Sequence, residues 1–303
     1  MVSLKDVAKR CGVSTATVSK ALNGHSDIGE KTRIRIKEAA QEMGYFPNAA
    51  ARALKTNRSY NLGVLFKEEA GRGLTHEYFS GILNGFKEKA EELGYDITFI
   101  NNEHVNHKMS YLEHCKYRNF DGVGIVCARF EEPEVQELLQ SNIPIVTVDY
   151  VYYNCTVVSS NNVKGMNELV RYIYSKGHRK IAYIYGEKHS AVTRDRLTRE
   201  LLNLPDPPTC ILYPDDTALI GGINVIDEMG LKVPDDISIA GFDGTKVSQL
   251  MSPKITTIRQ NTRKIGEEAV KRLVQRIEQP KTTLVERVII NGELLVGESV
   301  GGI

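Results

Sequence analysis

From Asn61 onward, short apolar runs of strand length alternate with stretches of helical periodicity, and this alternation limits the possible folds more than any other feature. The strand-like runs read NLGVLF, DITFI, DGVGIV, IPIVTVD, KIAYIY, TCILY and ISIAGF, and the clearest helical stretch is Glu77 to Leu93. Such alternation predicts parallel sheets with helices on both faces. Ligands of doubly wound sheets bind at the carboxyl ends of the strands, so polar residues at those ends are candidates for a binding site.

Composition narrows the class of protein further. The longest apolar stretches, such as GVGIV and IPIVTV, have the length of strands and are far short of the roughly 20 residues that span a bilayer. Lys5, Asp6 and Lys9 follow Met1 where a secretory signal would be apolar, so we expect a cytoplasmic protein without membrane association. The five cysteines are scattered without a C-x-x-C pair and are interpreted as small buried residues. We expect no metal, because no histidine stands near the cysteines at zinc spacing, and no nucleotide cofactor, because neither G-x-G-x-x-G nor a Walker sequence occurs.

Positive charge is concentrated at the front of the chain. Residues 1–60 contain eleven Lys and Arg against five Asp and Glu, which gives +6, and since the whole chain carries +1 the other residues carry −5. A basic end on a mildly acidic protein is either a solvated surface or the contact surface for a polyanion. Its concentration in one small folded unit favours the polyanion.

The first 45 residues have the pattern of three short helices. Capping signals mark the limits of the first two, namely Ser3 with Asp6, Gly12, Ser14 and Gly24. A third helix is predicted over about Glu30 to Met43. Its apolar face and two i, i+4 pairs from the first helices, Val7 with Cys11 and Val18 with Leu22, predict a miniature core.

The second helix has an outer face that is unusual for a solvated helix. Its members are Thr15, Ala16, Ser19, Lys20 and Asn23. Apart from Lys20 they are short and uncharged, whereas a helix that only has to stay soluble usually carries Glu and Lys pairs. Such a face fits a DNA major groove, with Lys20 donating to guanine, Ala16 against a thymine methyl, and Thr15 and Ser19 bonding a base or phosphate. The alternative is a plain three-helix domain.

The sequence resembles a known family over almost its whole length. LKDVAKRCGVSTATVSKALNG and TRIRIKEAAQEMGYFPNAAARALKT resemble the helix-turn-helix headpiece of the LacI/GalR family of bacterial transcription regulators, and FDGVGIV, IPIVTVD, KGHRKIAYI, MGLKVPDDISIAGFD and PKITTIRQ continue the match. The resemblance implies a small all-α headpiece followed by two doubly wound α/β subdomains similar to type I periplasmic binding proteins. The implied parts are a headpiece at 1–46, a hinge at 47–58, a first subdomain at 59–160 and 261–283, and a second at 161–260 and 284–303. The chain would cross between subdomains near Ser160, Gln260 and Thr283.

The segment NAAARALK follows Pro47 and is made of strong helix formers, yet eight residues are too few for a stable isolated helix. The resemblance implies that it becomes helical when two subunits lie side by side on operator DNA, with Leu54 inserted in the minor groove. The operator contacts expected here are Asn48, Ala51, Arg52, Leu54 and Lys55. A homodimer follows, because two headpieces must reach two half-sites. Without the resemblance, an ordinary linker is the simpler interpretation.

The resemblance also implies a small-molecule effector, a sugar or sugar derivative, in the cleft between the two subdomains. The candidate residues are Tyr78, Phe79, Asp149, Arg196, Asp215 and Asp243. Carboxylates and an arginine bond sugar hydroxyls, and aromatic faces stack on a sugar ring. Taken singly, each acid is better explained as a helix cap or a strand-end turn.

The sequence departs from the family pattern after Glu200. RDRLTRE continues almost directly into LLNLPDPPTCILY, so a strand and most of two helices are missing from the second subdomain. The lost strand would lie at the edge of the sheet, and one right-handed crossover could still join the strands on either side. We expect loss of the helix that carries Arg196, exposed apolar surface and a poorly held arginine.

Two other functions fit parts of the sequence. GFDGTK is similar to the loop of haloacid-dehalogenase-type phosphatases, but Gly241 occupies the place of the nucleophilic aspartate. His189 and Ser190 are adjacent without an acid to orient the histidine, so no enzyme is expected. A transport binding protein would need a secretion signal in place of the basic headpiece. The favoured function is a repressor of sugar-utilisation genes, and its alternative is a DNA-binding regulator that has lost its response to an effector.

Overall fold

The computed structural model describes residues 2–22, 24–46, 53, 58–68, 71–104, 107–185 and 191–303, apart from the side chains of residues 104, 107 and 191–194. The chain divides into two compact units, Met1–Ser59 and Tyr60–Ile303. Several predicted features lie outside the described residues, namely Asn23, the hinge contacts Asn48, Ala51, Arg52, Leu54 and Lys55, and the pair His189 and Ser190. None of the helices in the described ranges has the length and apolar character needed to cross a bilayer.

The first unit contains three helices, α1 (Leu4–Cys11), α2 (Thr15–Leu22) and α3 (Glu30–Glu42). The predicted capping box is present, since Ser3 N donates to Asp6 Oδ2 at 2.9 Å and the Ser3 hydroxyl accepts from Asp6 N. The Ser14 hydroxyl accepts a backbone hydrogen bond from the first turn of α2 at 3.0 Å. Gly12 and Gly24 have φ values of 61° and 73°, the left-handed conformation that ends a helix. The predicted limits of these helices are confirmed.

The three helices share one apolar core. Its buried members are Val7, Ala8, Val18, Ala21, Ile36 and Ala40, with Cys11, Leu22 and Met43 packed against them. All three helices contribute, so the i, i+4 pairs predicted from the sequence meet in the folded unit. The core fixes which face of α2 is buried and which is presented outward.

The second unit is built from strands and helices in alternation. Its strands are β1 (Asn61–Phe66), β2 (Asp96–Phe99), β3 (Glu103–His104), β4 (His107–Lys108), β5 (Gly122–Cys127), β6 (Ile145–Val148), β7 (Thr156–Ser160), β8 (Ile181–Tyr183), β9 (Cys210–Leu212), β10 (Ser238–Ala240), β11 (Thr257–Arg259), β12 (Arg287–Ile290) and β13 (Glu293–Leu295). Its helices are α4 (Glu77–Glu92), α5 (Tyr111–Arg118), α6 (Pro133–Leu139), α7 (Asn162–Ser175), α8 (Ala191–Leu202), α9 (Asp216–Glu228), α10 (Lys246–Leu250) and α11 (Thr262–Glu278).

The first sheet is entirely parallel and has the order β12-β7-β6-β5-β1-β2. Its central strands are buried on both faces. In β1, Val64 belongs to the core that contains Phe86 of α4 and Leu273 of α11, whereas the next residue, Leu65, belongs to the core that contains Leu138 of α6. Helices therefore cover both faces, as the uninterrupted apolar runs predict.

The second sheet is smaller and has the order β10-β9-β8, also parallel. One crossover containing α8 joins the neighbouring strands β8 and β9, so the predicted closure of the shortened region is confirmed. The expected loss of the helix carrying Arg196 is wrong. This helix is α8, and it packs Leu197 and Leu201 against the core while Thr198 is fully buried with its hydroxyl 3.0 Å from Tyr213 Oη.

The shortening leaves β8 at an edge of the sheet and exposes aromatic side chains there. Tyr183 is 49% exposed and Tyr185 is 83% exposed. The expected apolar surface is therefore present, but it arises from the missing neighbour strand and not from a missing helix.

The predicted crossing near Thr283 is wrong. Strand β12 follows Thr283 and pairs in parallel with β7, so it belongs to the first sheet. The return occurs after β12, where Asn161 Nδ2 donates to Asn291 Oδ1 at 2.9 Å and β13 pairs with β11. The crossing comes later than predicted because the edge of β7 that faces away from β6 has backbone groups that need hydrogen-bond partners. Strand β12 supplies them by pairing with β7 from Val157 to Ser160.

Candidate nucleic-acid interface and effector cleft

The outer face of α2 presents small polar side chains to solvent. Thr15, Ala16 and Lys20 are exposed and Ser19 is half-buried, while Val18 on the opposite face is completely buried. The helix is held by its cap and by the miniature core, so this face has a fixed orientation within its unit. An exposed face of this kind admits close approach of a partner's backbone or base edges.

Lys20 is not a free cation in this conformation. Its ammonium forms an ion pair with Asp27, and the hydrogen bond from Lys20 lowers the pKa of the Asp27 carboxyl. Both side chains are about half exposed, so the pair is weak and can be broken by a stronger anion. A phosphate or a guanine edge would have to compete with Asp27 for Lys20.

The first part of the cleft is formed by α4 and the end of β6. Tyr78 Oη donates to Asp149 Oδ2, and Ser160 N donates to Asp149 Oδ1 at 3.2 Å. Burial, together with the negative charge of Asp149 and its hydrogen bond, raises the pKa of Tyr78 well above its usual range. Asp149 itself has φ 56°, which turns the chain at the end of the strand. Phe79 contacts Tyr78 edge-on, with ring centroids 5.2 Å apart.

The second part of the cleft is centred on Asp243, which follows β10. Gln260 Nε2 donates to Asp243 Oδ1 at 2.6 Å. Burial raises the pKa of Asp243 to about 7, the Gln260 hydrogen bond opposes this, and repulsion from Asp215, Asp216 and Asp149 adds to it. Asp215, Asp216 and Asp149 therefore each lie close enough to Asp243 to act on it, although the four carboxylates come from three strand ends.

Asp215 and Asp216 have different roles. Asp215 caps α9, with Ala218 N donating to Asp215 Oδ1 at 2.6 Å. Asp216 is completely buried and accepts hydrogen bonds from Thr245 N at 2.7 Å and from Thr257 Oγ1 at 2.8 Å. Burial raises the pKa of Asp216, and these hydrogen bonds oppose the rise. Asp216 therefore joins α9, α10 and β11 behind the cleft.

Asp216 and Gln260 were not among the residues predicted for the cleft. The only signal for Asp216 is the double acid in YPDDTAL, and Gln260 is the last residue of PKITTIRQ at a subdomain crossing. Asp216 also explains why position 241 is a glycine. A Cβ at position 241 would lie 2.2 Å from Asp216 Oδ1, so the position that would hold a phosphatase nucleophile has no room for a side chain.

A hydrogen bond joins the two lobes, which are the subdomains built on the first and on the second sheet. The Glu77 carboxylate at the start of α4 accepts from Lys246 N at the start of α10 at 2.8 Å. Beside it, the His76 ring lies 4.9 Å from the Phe79 ring, and burial lowers the pKa of His76. The two lobes are therefore in direct contact near the candidate residues.

Arg196 does not join the other candidates. Its side chain is 61% exposed and forms an ion pair with Glu200 one turn along α8, at 2.5 Å. The structure thus brings Tyr78, Asp149, Asp215 and Asp243 into one electrostatic cluster and places Arg196 on the surface of its helix.

A cavity of about 570 Å³ lies beside the strand ends of the second sheet. Its lining residues are Asn162, Val163, Met166, Asn167, Val170, Tyr183, Pro214 and Phe242. Pro214 and Phe242 directly precede Asp215 and Asp243 in the chain, so the cavity lies at the strand ends that carry these two acids. It is bounded on one side by α7 and on the other by the edge strand β8.

Comparison with known proteins agrees with a helical first unit followed by an α/β second unit. The family described as "Bacterial regulatory proteins, lacI family" matches residues 3–48, "Periplasmic binding proteins and sugar binding domain of LacI family" matches residues 59–200, and "Periplasmic binding protein-like domain" matches residues 189–300. The chain belongs to the LacI family of bacterial transcription regulators. It is a DNA-binding regulator and not an enzyme.

Individual relatives cover almost the whole chain. The HTH-type transcriptional repressor PurR of Mannheimia succiniciproducens is 28% identical over 99% of both chains, and the ribose operon repressor of Escherichia coli K12 is 27% identical over 92% of this chain and 94% of its own. The solved Lac repressor dimer bound to operator and the anti-inducer ONPF has a TM-score of 0.82, 25% identity and 99% coverage of both chains. The PurR alignment extends over 337 positions against 303 residues here, so PurR carries residues that this family member lacks.

Proposed function

We propose that this LacI-family regulator is a repressor that binds a palindromic operator as a homodimer and responds to a small hydroxylated effector in its cleft. The outer face of α2 carries the proposal, because Thr15, Ala16 and Lys20 are exposed on a helix fixed by a closed core. The Lac repressor likeness supports the dimer and the operator, since that structure is a dimer on operator DNA. The hinge residues Leu54 and Lys55 are proposed to complete the contact in the minor groove.

The cleft is proposed to control DNA binding through closure of the two lobes. The hydrogen bond between Glu77 and Lys246 N joins lobe to lobe next to Tyr78 and Asp149. A ligand that binds both sides of the cleft better in one arrangement would shift the equilibrium between arrangements, and so couple effector to operator. We propose that the effector binds in contact with Tyr78, Phe79, Asp149, Asp215 and Asp243.

A second function is supported by the position of Arg196. Because this arginine is exposed and paired with Glu200, it does not supply its fork of donors to the cleft. A regulator that binds operator DNA without an effector response is therefore the alternative. The two are separated by melting curves with a panel of sugars, since a bound effector raises the melting temperature by an amount that grows with the logarithm of its concentration over its Kd.

Operator recognition is tested by selecting bound duplexes from a random DNA pool with the full-length protein. We expect a palindromic site with a central CG step, because a symmetric dimer reads two half-sites and a minor-groove wedge favours a flexible central step. Recovery of no common sequence would contradict the proposal. Recovery of a single unpaired half-site would contradict the dimer alone.

Replacing Asp27 by asparagine is expected to increase operator affinity about two- to fivefold. The change removes a negative charge that pairs with Lys20 of α2 and so frees Lys20 from its ion pair. Binding should be measured by fluorescence anisotropy at two salt concentrations, because the gain should shrink as salt rises. The control is Glu42→Gln. It also removes one carboxylate from an ion pair, but Glu42 belongs to α3 and its partner Arg10 to α1. An equal gain in the control would show that only net charge matters.

A further inference from the structure

The cleft combines several negative charges with an unsatisfied acceptor. Asp215 and Asp243 form no ion pair within the described part of the chain, and each is held by one donor, Ala218 N and Gln260 Nε2 respectively. Asp149 adds a third carboxylate from the opposite lobe, and its charge reaches Asp243. Like charges that repel one another are stabilised by a cation placed among them.

Gln260 provides an independent sign of a ligand. Gln260 is 9% exposed, and its amide lies at the Asp243 carboxylate because Nε2 donates to Asp243. The other end of the same amide, Oε1, is buried without a hydrogen-bond partner among the described residues. A buried acceptor without a donor costs free energy, and native proteins satisfy nearly all such atoms. A ligand that carries a hydrogen-bond donor would supply the partner that the described residues do not.

Three arginines near the cleft are paired with acids among the described residues. Arg196 pairs with Glu200, Arg259 pairs with Glu293, and Arg263 pairs with Glu88 and Glu267. A neutral sugar hydroxyl would bring one donor and no charge, and an acidic sugar would add to the repulsion. An ammonium brings three donors and a positive charge to a site made of acceptors.

We propose that the effector is a hydroxylated primary amine, such as an amino sugar, whose ammonium lies between Asp215, Asp243 and Gln260 Oε1. The proposal rests on the effector-responsive function proposed above and names the chemical class that the cleft selects. The hydroxyl groups of the ligand face Asp149 and Tyr78, and its ring lies against Phe79. The positive charge is thus on the ligand and the negative charges are on the protein, whereas a site with an arginine would bind an anionic ligand.

The test uses the full-length protein and matched sets of hexosamine, hexose, N-acetylhexosamine and hexuronate in the gluco, galacto and manno configurations. Binding is measured by isothermal titration and melting shift at pH 7. We expect the amine of at least one set to bind about tenfold or more tightly than its neutral partner, and the hexuronate to bind least tightly. Equal or tighter binding of a neutral, acetylated or acidic member, or of Mg²⁺ or Ca²⁺ alone in place of the amine, overturns the proposal. The proposal is also overturned if none of the hexosamines binds.

Two variants assign the preference to these carboxylates without disturbing the fold. Asp215→Asn keeps a good helix cap, since Asn and Asp are equivalent at that position. Asp243→Asn keeps the acceptor for Gln260 and removes a repelled charge, so it should fold at least as well as the wild type. Each should reduce the ratio of amine to neutral affinity to about twofold or less. Glu278→Gln, an exposed acid at the end of α11, should leave the ratio unchanged.

Operator binding measured without any sugar separates this inference from the proposed function. If the protein binds its operator and no amine preference appears, the inference fails and the DNA-binding function stands. If the protein does not bind duplex DNA at all, the proposed function fails regardless of the cleft.

Discussion

Replacing Ala16 by glutamate is expected to reduce operator affinity at least about 100-fold while leaving the headpiece folded. Ala16 is exposed on the outer face of α2, so a longer side chain causes no clash within the unit. Glutamate is also a good helix former. In the complex, however, the carboxylate would occupy the space where the helix approaches the base edges and would face the phosphates. Anisotropy titrations and circular dichroism measure binding and folding separately.

The matched control for this change is Gln41→Glu, which adds the same charge to an exposed position of α3. It should weaken binding only a few-fold, because charge away from the groove acts through screened long-range repulsion. Equal losses in the two variants would mean that general electrostatics, and not the outer face of α2, determines operator binding.

Replacing Gly266 by alanine is expected to destabilise the second unit by about 3 kcal/mol or more. At Gly266 in α11 the added Cβ would lie 2.0 Å from Ile82 O and 2.5 Å from Phe86 N, both backbone atoms of α4. Gly85 makes the reciprocal contact, 2.1 Å from Arg263 O. Alanine gains about 1 kcal/mol of helix propensity over glycine. The clash outweighs this gain because two backbones must separate inside a closed core.

The expected fall in melting temperature is roughly 6–12 °C for a unit of this size. The control is Gly302→Ala, where the added methyl would meet only Lys176 O at the ordinary distance of 3.8 Å. It should melt within about 1 °C of the wild type. If Gly266→Ala melts with the control, α4 and α11 are not in the close contact that forms the core of the first lobe.

The acids of the cleft illustrate how far sequence reasoning reaches. Asp149 and Asp243 could be predicted because each ends a buried run at a strand terminus, and the carboxyl ends of parallel strands share one edge. The prediction could not reach Gln260, because its amide becomes relevant only through a hydrogen bond to a residue 17 positions earlier. Asp216 is a stronger case, since its contact with Thr257 joins residues 41 positions apart.

For the shortened lobe, the sequence predicted the crossover between β8 and β9 correctly, but the predicted loss of the helix that packs on the sheet was wrong. The sequence between β8 and β9 is long enough for one crossover, and chain length alone allows that conclusion. Whether the remaining residues would form a covering helix depends on the burial of Thr198 and Leu197 against Tyr213 and its neighbours. Arg196 then follows the helix to the surface, where Glu200 is its nearest partner.

The sequence by itself determined the features that depend on residues within a few positions of one another. These are the caps at Ser3 and Ser14, the left-handed turns at Gly12 and Gly24, and the alternation of strands and helices, because caps and hydrophobic periodicity are local. Only the tertiary structure decided the rest. The return after β12, the exposed position of Arg196 and the joining of four carboxylates with one unsatisfied amide all depend on which distant backbones and side chains become neighbours, and burial and hydrogen bonding set that choice across the whole fold.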